Sequence, residues 1–149
     1  MGAIAGMARS YRTTPLPGSH PMNLHSIHHI ALICSDYPRS KHFYTQVLGL
    51  RVIAETYREA RDSWKLDLTL GDAQLELFSF PGAPPRPSYP EAQGLRHLAF
   101  AVDNLDAAIA HLESHCVRCE PIREDELTGK RFTFFADPDD LPLELYERG

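Results

Sequence analysis

The chain has 149 residues, of which 43% are hydrophobic and 23% are charged. That composition is typical of an ordinary globular protein, and the length allows one domain with a substantial core. The formal net charge of −5 argues against nucleic acid or an anionic membrane as a partner, because both are bound by lysine and arginine.

Residues 1–22 contain no acidic residue and are interrupted by proline and glycine. Their apolar stretch is too short for a secretory signal, so we expect a disordered tail or a remnant of cloning, followed by a single domain at 23–149. Three cysteines, an odd number in a chain that needs no disulfide, favour a reducing cytoplasm. No apolar run reaches the length of about 20 residues that a membrane-spanning helix needs.

The first predicted module covers residues 24–80 and has the order β-α-β-β-β. Its predicted elements are a strand at 27–33, a helix that stops at Gly49, and strands at 51–57, 64–70 and 73–80. Pro38 suits the first helical turn, where its missing N–H is harmless, and Gly49 is typical of a helix end. Gly71-Asp72 favours a two-residue hairpin between the last two strands.

Residues 81–93 are predicted to connect this module to a second one. Five prolines fall within 81–90, and because proline cannot donate to a sheet ladder, the segment is expected to be a stiff linker. A lid over a site and a peptide-docking segment are the alternatives.

The second predicted module, residues 94–147, repeats the order of the first. Its predicted elements are a strand at 96–102, a helix that Asn104 caps, and strands at 116–122, 131–136 and 141–146. Together the two tandem modules predict an α+β fold in which a curved eight-stranded mixed sheet surrounds a cleft.

A histidine and a glutamate recur at the same place in both modules. Glu76 follows His29 by 47 residues, and Glu144 follows His97 by the same spacing. Each histidine opens an apolar strand, and each glutamate lies between two leucines. Because side chains alternate along a strand, the leucines should face the core and the carboxylates the cleft. Imidazoles and carboxylates bind divalent first-row metals, so these four side chains predict one metal site.

Further motifs accompany this duplication. They are the openings His29-Ile30-Ala31-Leu32 and His97-Leu98-Ala99-Phe100, the helix end at 43–50, and the turn Asp137-Pro138-Asp139 ahead of Leu143-Glu144-Leu145. Together they resemble the vicinal oxygen chelate superfamily, and most closely its glyoxalase I branch. The resemblance covers residues 24–147. One departure is Asp140, which stands where the family turn usually has glycine, and aspartate tolerates the positive φ of such a turn.

The resemblance implies that His29, Glu76, His97 and Glu144 hold one divalent metal ion, which is Ni, Zn, Co, Mn or Fe. Glutamate at position 76 favours the glyoxalase I branch, since the resistance and dioxygenase branches use three ligands and the epimerase branch tends to place glutamine there. A homodimer is expected, and whether the site forms within one chain or across a dimer stays open.

The implied activity is that of a metal-dependent isomerase or lyase. Its substrate would be a glutathione hemithioacetal or a similar small carbonyl compound, converted through an enediolate, with Glu144 and Glu76 as the candidate general bases. The alternatives are an extradiol-type ferrous dioxygenase and a non-catalytic small-molecule-binding or resistance protein.

Cationic and aromatic residues near the expected cleft are candidates for binding the substrate. They suit an anionic molecule, such as a glutathione conjugate or a small carboxylate. These candidates are Arg58, Arg61, Trp64, Lys65 and Arg131.

Overall fold

The computed structural model of the protein describes Met22 and residues 24–149. Apart from Met22, the expected N-terminal tail lies outside the described residues. The elements are β1 (His29–Cys34), α1 (Tyr37–His42) continued by a π-helical turn (Phe43–Val47), β2 (Val52–Arg58), a 3-10 turn (Glu59–Arg61), β3 (Ser63–Leu70), β4 (Ala73–Ser79), β5 (Leu98–Val102), α2 (Leu105–Ser114), β6 (Arg123–Glu124), β7 (Arg131–Ala136) and β8 (Pro142–Glu147).

The strands form two four-stranded sheets of the same topology. Their orders are β1-β4-β3-β2 and β5-β8-β7-β6. In each sheet the first strand pairs parallel with the last, and the other pairs are antiparallel. Parallel neighbours need a crossover connection, and the crossover contains the helix in both modules. The predicted α+β fold of two tandem β-α-β-β-β modules is confirmed, with the eight strands divided between two mixed sheets.

Both helices begin with a side-chain cap, and the predicted cap at Asn104 is confirmed. Asp36 accepts a hydrogen bond from the N–H of Arg39 at 3.0 Å, and Asn104 accepts one from the N–H of Ala107 at 2.9 Å. These contacts satisfy N–H groups that have no partner inside the helix. Asp140 has a φ of 62°, so aspartate does take the left-handed conformation of its turn.

The segment after α2 differs from the prediction. The expected strand at 116–122 is wrong, and the strand in this region is the short Arg123–Glu124. Cys116 has a φ of 61° at the end of the helix, and Pro121 has no N–H to give to a ladder. The segment is attached to its sheet through Glu120, whose N–H donates to a carbonyl of β7 at 2.8 Å.

One hydrophobic core is shared by the two modules. Its buried hydrophobic residues are Leu32, Cys34, Tyr37, Phe43, Tyr44, Val47, Leu66, Leu68, Leu75, Leu77, Leu105, Leu112, Phe135, Leu141, Leu143 and Leu145. The rings of Phe43 and Phe135 lie 6.5 Å apart across the boundary between the modules. Since Leu75, Leu77, Leu143 and Leu145 all enter this core, the side chains between them must point away from it.

A buried polar contact also joins the modules. The hydroxyl of Tyr44 donates to a carboxylate oxygen of Asp137 at 2.7 Å. Burial raises the pKa of Asp137, although Tyr44 and two backbone N–H groups donate to its carboxylate and oppose that shift. Within the described part of the chain, no helix combines the length and apolar character required to cross a membrane.

Candidate metal centre

The first His–Glu pair lies on two neighbouring parallel strands. His29 is on β1 and Glu76 on β4, where Ala31 is the register partner of Glu76. The Nε2 atom of His29 lies 3.8 Å from Oε2 of Glu76, whose side chain is 14% exposed. The Nζ atom of Lys65 lies 3.0 Å from Oε1 of the same carboxylate.

The second pair repeats this placement. Ala99 is the register partner of Glu144, so His97 stands in the same relation to its glutamate as His29 does. The Nε2 atom of His97 lies 2.9 Å from Oε2 of Glu144, whose side chain is 11% exposed. The Nδ1 atom of His97 is buried and has no hydrogen-bond partner among the described residues.

The two pairs do not meet within one chain. Both carboxylates point away from the shared core, and the described residues contain no group of three or more His, Cys, Asp or Glu side chains that could hold a metal ion. Each chain presents two half-sites with one imidazole and one carboxylate each. These donors fit a divalent metal in type, but each pair supplies two ligands where protein metal sites use three or four.

Charged groups surround the first half-site. The guanidinium of Arg58 lies 4.7 Å from the ring centre of Phe78 and 5.2 Å from that of Phe80. Lys65 also pairs with Asp67, which is the register partner of Glu76 on β3. Burial lowers the pKa of Lys65, but its hydrogen bonds to Asp67 and Glu76 outweigh this effect and raise the pKa above its ordinary value.

Aromatic rings surround the second half-site. Phe134 is the register partner of Glu144 on β7, and its ring meets that of His97 edge-on at 5.1 Å. A cavity of about 210 Å³ lies beside these rings. It is lined by Ser88, Tyr89, Glu91, Arg96, His97, Glu120, Arg123, Phe134 and Pro142. Ser88, Tyr89 and Glu91 belong to the proline-rich linker, and the hydroxyl of Ser88 anchors it by donating to the carbonyl of Asp140 at 2.7 Å.

Comparison with known proteins gives the family. Residues 26–145 match the model of the glyoxalase/bleomycin resistance protein/dioxygenase superfamily. The chain belongs to this superfamily. The match confirms the resemblance to vicinal oxygen chelate proteins that the repeated motifs indicate.

Relatives within the superfamily cover nearly the same residues. YaeR from Escherichia coli (strain K12) is 64% identical over 128 residues, which are 85% of this chain and 99% of YaeR. A solved structure of a glyoxalase family protein from Enterococcus faecalis is 50% identical with a TM-score of 0.77, and the match covers 82% of this chain and 97% of that one. The 2-epi-5-epi-valiolone epimerase of an Actinomyces species is 30% identical in an alignment 142 positions long that covers 80% of this chain and 78% of the epimerase.

The five substrate candidates occupy four different environments. Arg58 and Lys65 lie on the face of the first sheet that carries Glu76, and Arg61 lies exposed in the 3-10 turn. Trp64 is on the other face, where its ring stacks on Tyr37 at 5.4 Å. Arg131 binds Glu147 at 2.8 Å and Asp106 at 3.0 Å. None of the last three contacts a His–Glu pair within the described residues.

Two groups beside the His–Glu pairs are absent from the candidates that the sequence gives. They are the rings of Phe132 and Phe134 on β7 and the ring of Phe78 on β4. Their signal is strand alternation, because Phe78 is two residues from Glu76, and Phe134 lies opposite Glu144 once the register of β7 and β8 is known.

Proposed function

We propose that the protein is a metal-dependent isomerase or lyase of the glyoxalase I type, acting on a glutathione hemithioacetal or a similar small carbonyl compound. The observation that carries this proposal is the His–Glu pair repeated with the same strand register in both modules. The epimerase relative supports it, because epimerisation and isomerisation next to a carbonyl both need a base that removes a proton from carbon.

The proposed metal site is shared by two copies of the chain. His29 and Glu76 of one copy would hold a single divalent ion, Ni, Zn, Co, Mn or Fe, together with His97 and Glu144 of a second copy. When bound, such an ion acts as a Lewis acid that polarises a substrate carbonyl. The separation of the pairs within one chain supports a homodimer, since a symmetric dimer brings unlike half-sites together twice.

Glu144 is proposed as the base that moves the proton. Its only ion-pair partner among the described residues is His97, and the ring of Phe134 helps to shield it from water. Glu76, in contrast, accepts from the ammonium group of Lys65 at 3.0 Å, which holds this carboxylate in position and suits it to remain a ligand. Glu144 would remove a proton from the carbon next to the carbonyl and return it to the neighbouring carbon.

We also propose a domain organisation and a cellular location for the protein. We assign residues 23–149 to one domain, with modules at 24–80 and 94–147, because both modules build one core. Free thiols at Cys34, Cys116 and Cys119 support a location in the reducing cytoplasm.

The second candidate function is a non-catalytic small-molecule-binding or resistance protein. It is favoured if the chain stays monomeric, since each half-site then keeps two ligands.

A mixing experiment tests the shared site. Glu76→Gln and Glu144→Gln proteins are prepared separately, loaded with Ni or Zn, and assayed with methylglyoxal and glutathione. Each should be nearly inactive alone. After unfolding and refolding together, half of the dimers are mixed and one of their two sites is intact, so about a quarter of wild-type activity should return.

The control for this experiment is Glu59→Gln, which removes an exposed carboxylate of the 3-10 turn and should keep full activity. Failure of the mixture to recover any activity would exclude a site shared between copies. Wild-type protein that binds Ni or Zn but never isomerises the hemithioacetal would exclude the glyoxalase reaction itself.

A further inference from the structure

We infer that the protein has a second binding site, for a small organic phosphate, at the boundary between the two modules. The phosphoryl group would bind between Arg39 and Arg118, and the organic part would lie against Val47 and Val117. The site is separate from the His–Glu pairs, so the inference does not depend on the proposed function.

The site is a cavity of about 400 Å³ with one wall from each module. The first wall is formed by Arg39, His42, Phe43 and Val47, and the second by residues 115–118 and 136–138. The volume lies within the roughly 300–1,000 Å³ of small-molecule pockets. Within the described part of the chain, no residue of this lining belongs to a His–Glu pair or to the cavity beside Phe134.

Each wall carries an arginine whose charge is not compensated. Arg39 lies on the first wall and Arg118 on the second. Neither guanidinium has an ion-pair or hydrogen-bond partner among the described residues, whereas Arg123, Arg131 and Arg148 each form an ion pair. A cleft lined by one sign of charge concentrates the electric field, and guanidinium groups match the oxygens of a phosphate in bidentate geometry.

Asp137 is the acidic residue of the lining, but other groups already occupy its carboxylate. The Oδ2 atom accepts from the hydroxyl of Tyr44 at 2.7 Å. The Oδ1 atom accepts from the N–H groups of Asp139 and Leu141, both at 2.9 Å. This carboxylate therefore forms no ion pair with the two guanidiniums, and a bound oxyanion would neutralise them instead.

Hydrogen bonds hold the two walls in a fixed shape. The Nε2–H of His111 on α2 donates to the carbonyl of Val47 at 2.7 Å, which joins the modules beside the cavity. The N–H of Val117 donates to the carbonyl of Leu112 at 3.0 Å, and this bond closes the end of α2. A cavity that is already formed binds a ligand without the entropic cost of ordering its walls.

Two uncommon backbone features coincide at the cavity. The π-helical turn Phe43–Val47 contributes to the first wall. Cys116 in the second wall has a φ of 61°. Both kinds of feature are found preferentially at functional sites, which supports a binding function for this cavity.

The test measures binding to metal-free protein by calorimetry, because a bound metal ion would itself attract phosphate. Three probes are compared: phenyl phosphate, inorganic phosphate and benzyl alcohol. Phenyl phosphate should bind about tenfold or more tightly than the alcohol, since a hydrogen bond to a charged group contributes at least about a factor of ten. It should also bind more tightly than inorganic phosphate, which has no apolar group to place against the two valines.

Arginine substitutions connect this binding to the two walls. Arg39→Gln and Arg118→Gln should each weaken the binding of phenyl phosphate by about tenfold or more. Arg51→Gln is the matched control, because Arg51 is also exposed and without an ion pair among the described residues but does not line the cavity. It should leave the affinity unchanged, although it alters the net charge equally.

Alkylation of Cys116 locates the bound molecule. Its thiol is exposed and lines the cavity, whereas Cys34 is buried. Phenyl phosphate should slow the reaction of Cys116 with iodoacetamide, as measured by mass spectrometry. The same concentration should give no protection in Arg118→Gln protein.

Phenyl phosphate that binds no more tightly than benzyl alcohol would overturn the inference. An Arg51→Gln loss as large as that of Arg39→Gln would do the same, as would binding that leaves Cys116 unprotected. Equal affinities for phenyl phosphate and inorganic phosphate would overturn the assignment of an organic ligand.

Discussion

The two half-sites have the same backbone arrangement but different residues across from the glutamate. In both, a histidine at or just before the start of the first strand lies beside a glutamate on the last strand with the same register. The residue directly across from the glutamate is Asp67 in the first sheet and Phe134 in the second. Glu76 thus faces a like charge, whereas Glu144 faces a ring.

The residue across from each glutamate distinguishes two half-sites that share one backbone arrangement. Like charges that face each other across a strand pair are destabilising, and Lys65 offsets that repulsion by contacting both Asp67 and Glu76. Among the described residues no lysine or arginine lies at ion-pair distance from Glu144, and Phe134 is its register partner on β7. The first half-site therefore holds its carboxylate through an ammonium group, whereas the second places its carboxylate across from a ring.

The largest expected effect comes from replacing the two glutamates singly. Glu144→Gln should lower kcat by about 10²–10⁴-fold even at saturating metal, because it removes the general base. Glu76→Gln should mainly weaken metal binding, so excess Ni or Zn should recover part of its turnover. Metal titration followed by steady-state kinetics distinguishes the two. Identical losses that excess metal does not change would show that the carboxylates have no separate roles.

Local patterns in the sequence were sufficient to predict the frame of each half-site. The leucines on either side of Glu76 and Glu144 are in the core as alternation requires, and Asp36 and Asn104 cap the helices. The prediction of a strand at 116–122 was wrong. The composition of this segment fits a strand, but the conformation of Cys116 and the missing N–H of Pro121 prevent a continuous ladder.

The packing of the modules against each other could not be predicted in the same way. It depends on contacts between distant residues, such as the Tyr44–Asp137 hydrogen bond, and no period in the sequence encodes their pairing. The sequence predicts four ligands but not that one chain keeps them in two separate pairs. The side chains that lie across from each glutamate depend on strand register, which is known only when the partners of β3 and β7 are known.

Core substitutions test whether the two modules are equivalent where their surfaces are not. Leu75 and Leu143 are both fully buried beside the glutamates. Leu75→Ala and Leu143→Ala should each lower the free energy of unfolding by about 2–5 kcal/mol, and by similar amounts. Urea unfolding measures both. A loss of unfolding free energy in only one variant would mean that the two modules do not contribute equally to the core.

Lys65→Met tests the charge balance of the first half-site alone. Without the ammonium group, Asp67 and Glu76 repel each other, so metal-free protein should lose about 1 kcal/mol of stability. Adding Ni or Zn should reduce the difference in stability between Lys65→Met and wild-type protein, because the metal ion then offsets the repulsion between Asp67 and Glu76. Thermal unfolding with and without metal measures the effect. Lys41→Met, which removes the ion pair with Glu55, is the control whose deficit should not respond to metal.

The smallest expected effect concerns the ion pairs on the other side of each sheet. Arg131 donates to Glu147 and lowers the pKa of that carboxyl to about 2, whereas Lys41 and Tyr37 lower the pKa of Glu55. A carboxyl with a depressed pKa in the folded state adds stability above its unfolded pKa and loses it as pH falls towards the folded value.

Glu147→Gln should therefore flatten the loss of stability as pH falls from about 4.5 towards 2. Glu55→Gln should do the same over the interval between its own unfolded and folded pKa values. Both carboxylates are accessible to solvent, so screening keeps each effect small. Urea midpoints measured across this pH range would detect these effects. If the stability of Glu147→Gln fell with pH as steeply as that of wild type, Arg131 would not form its ion pair with Glu147 in solution.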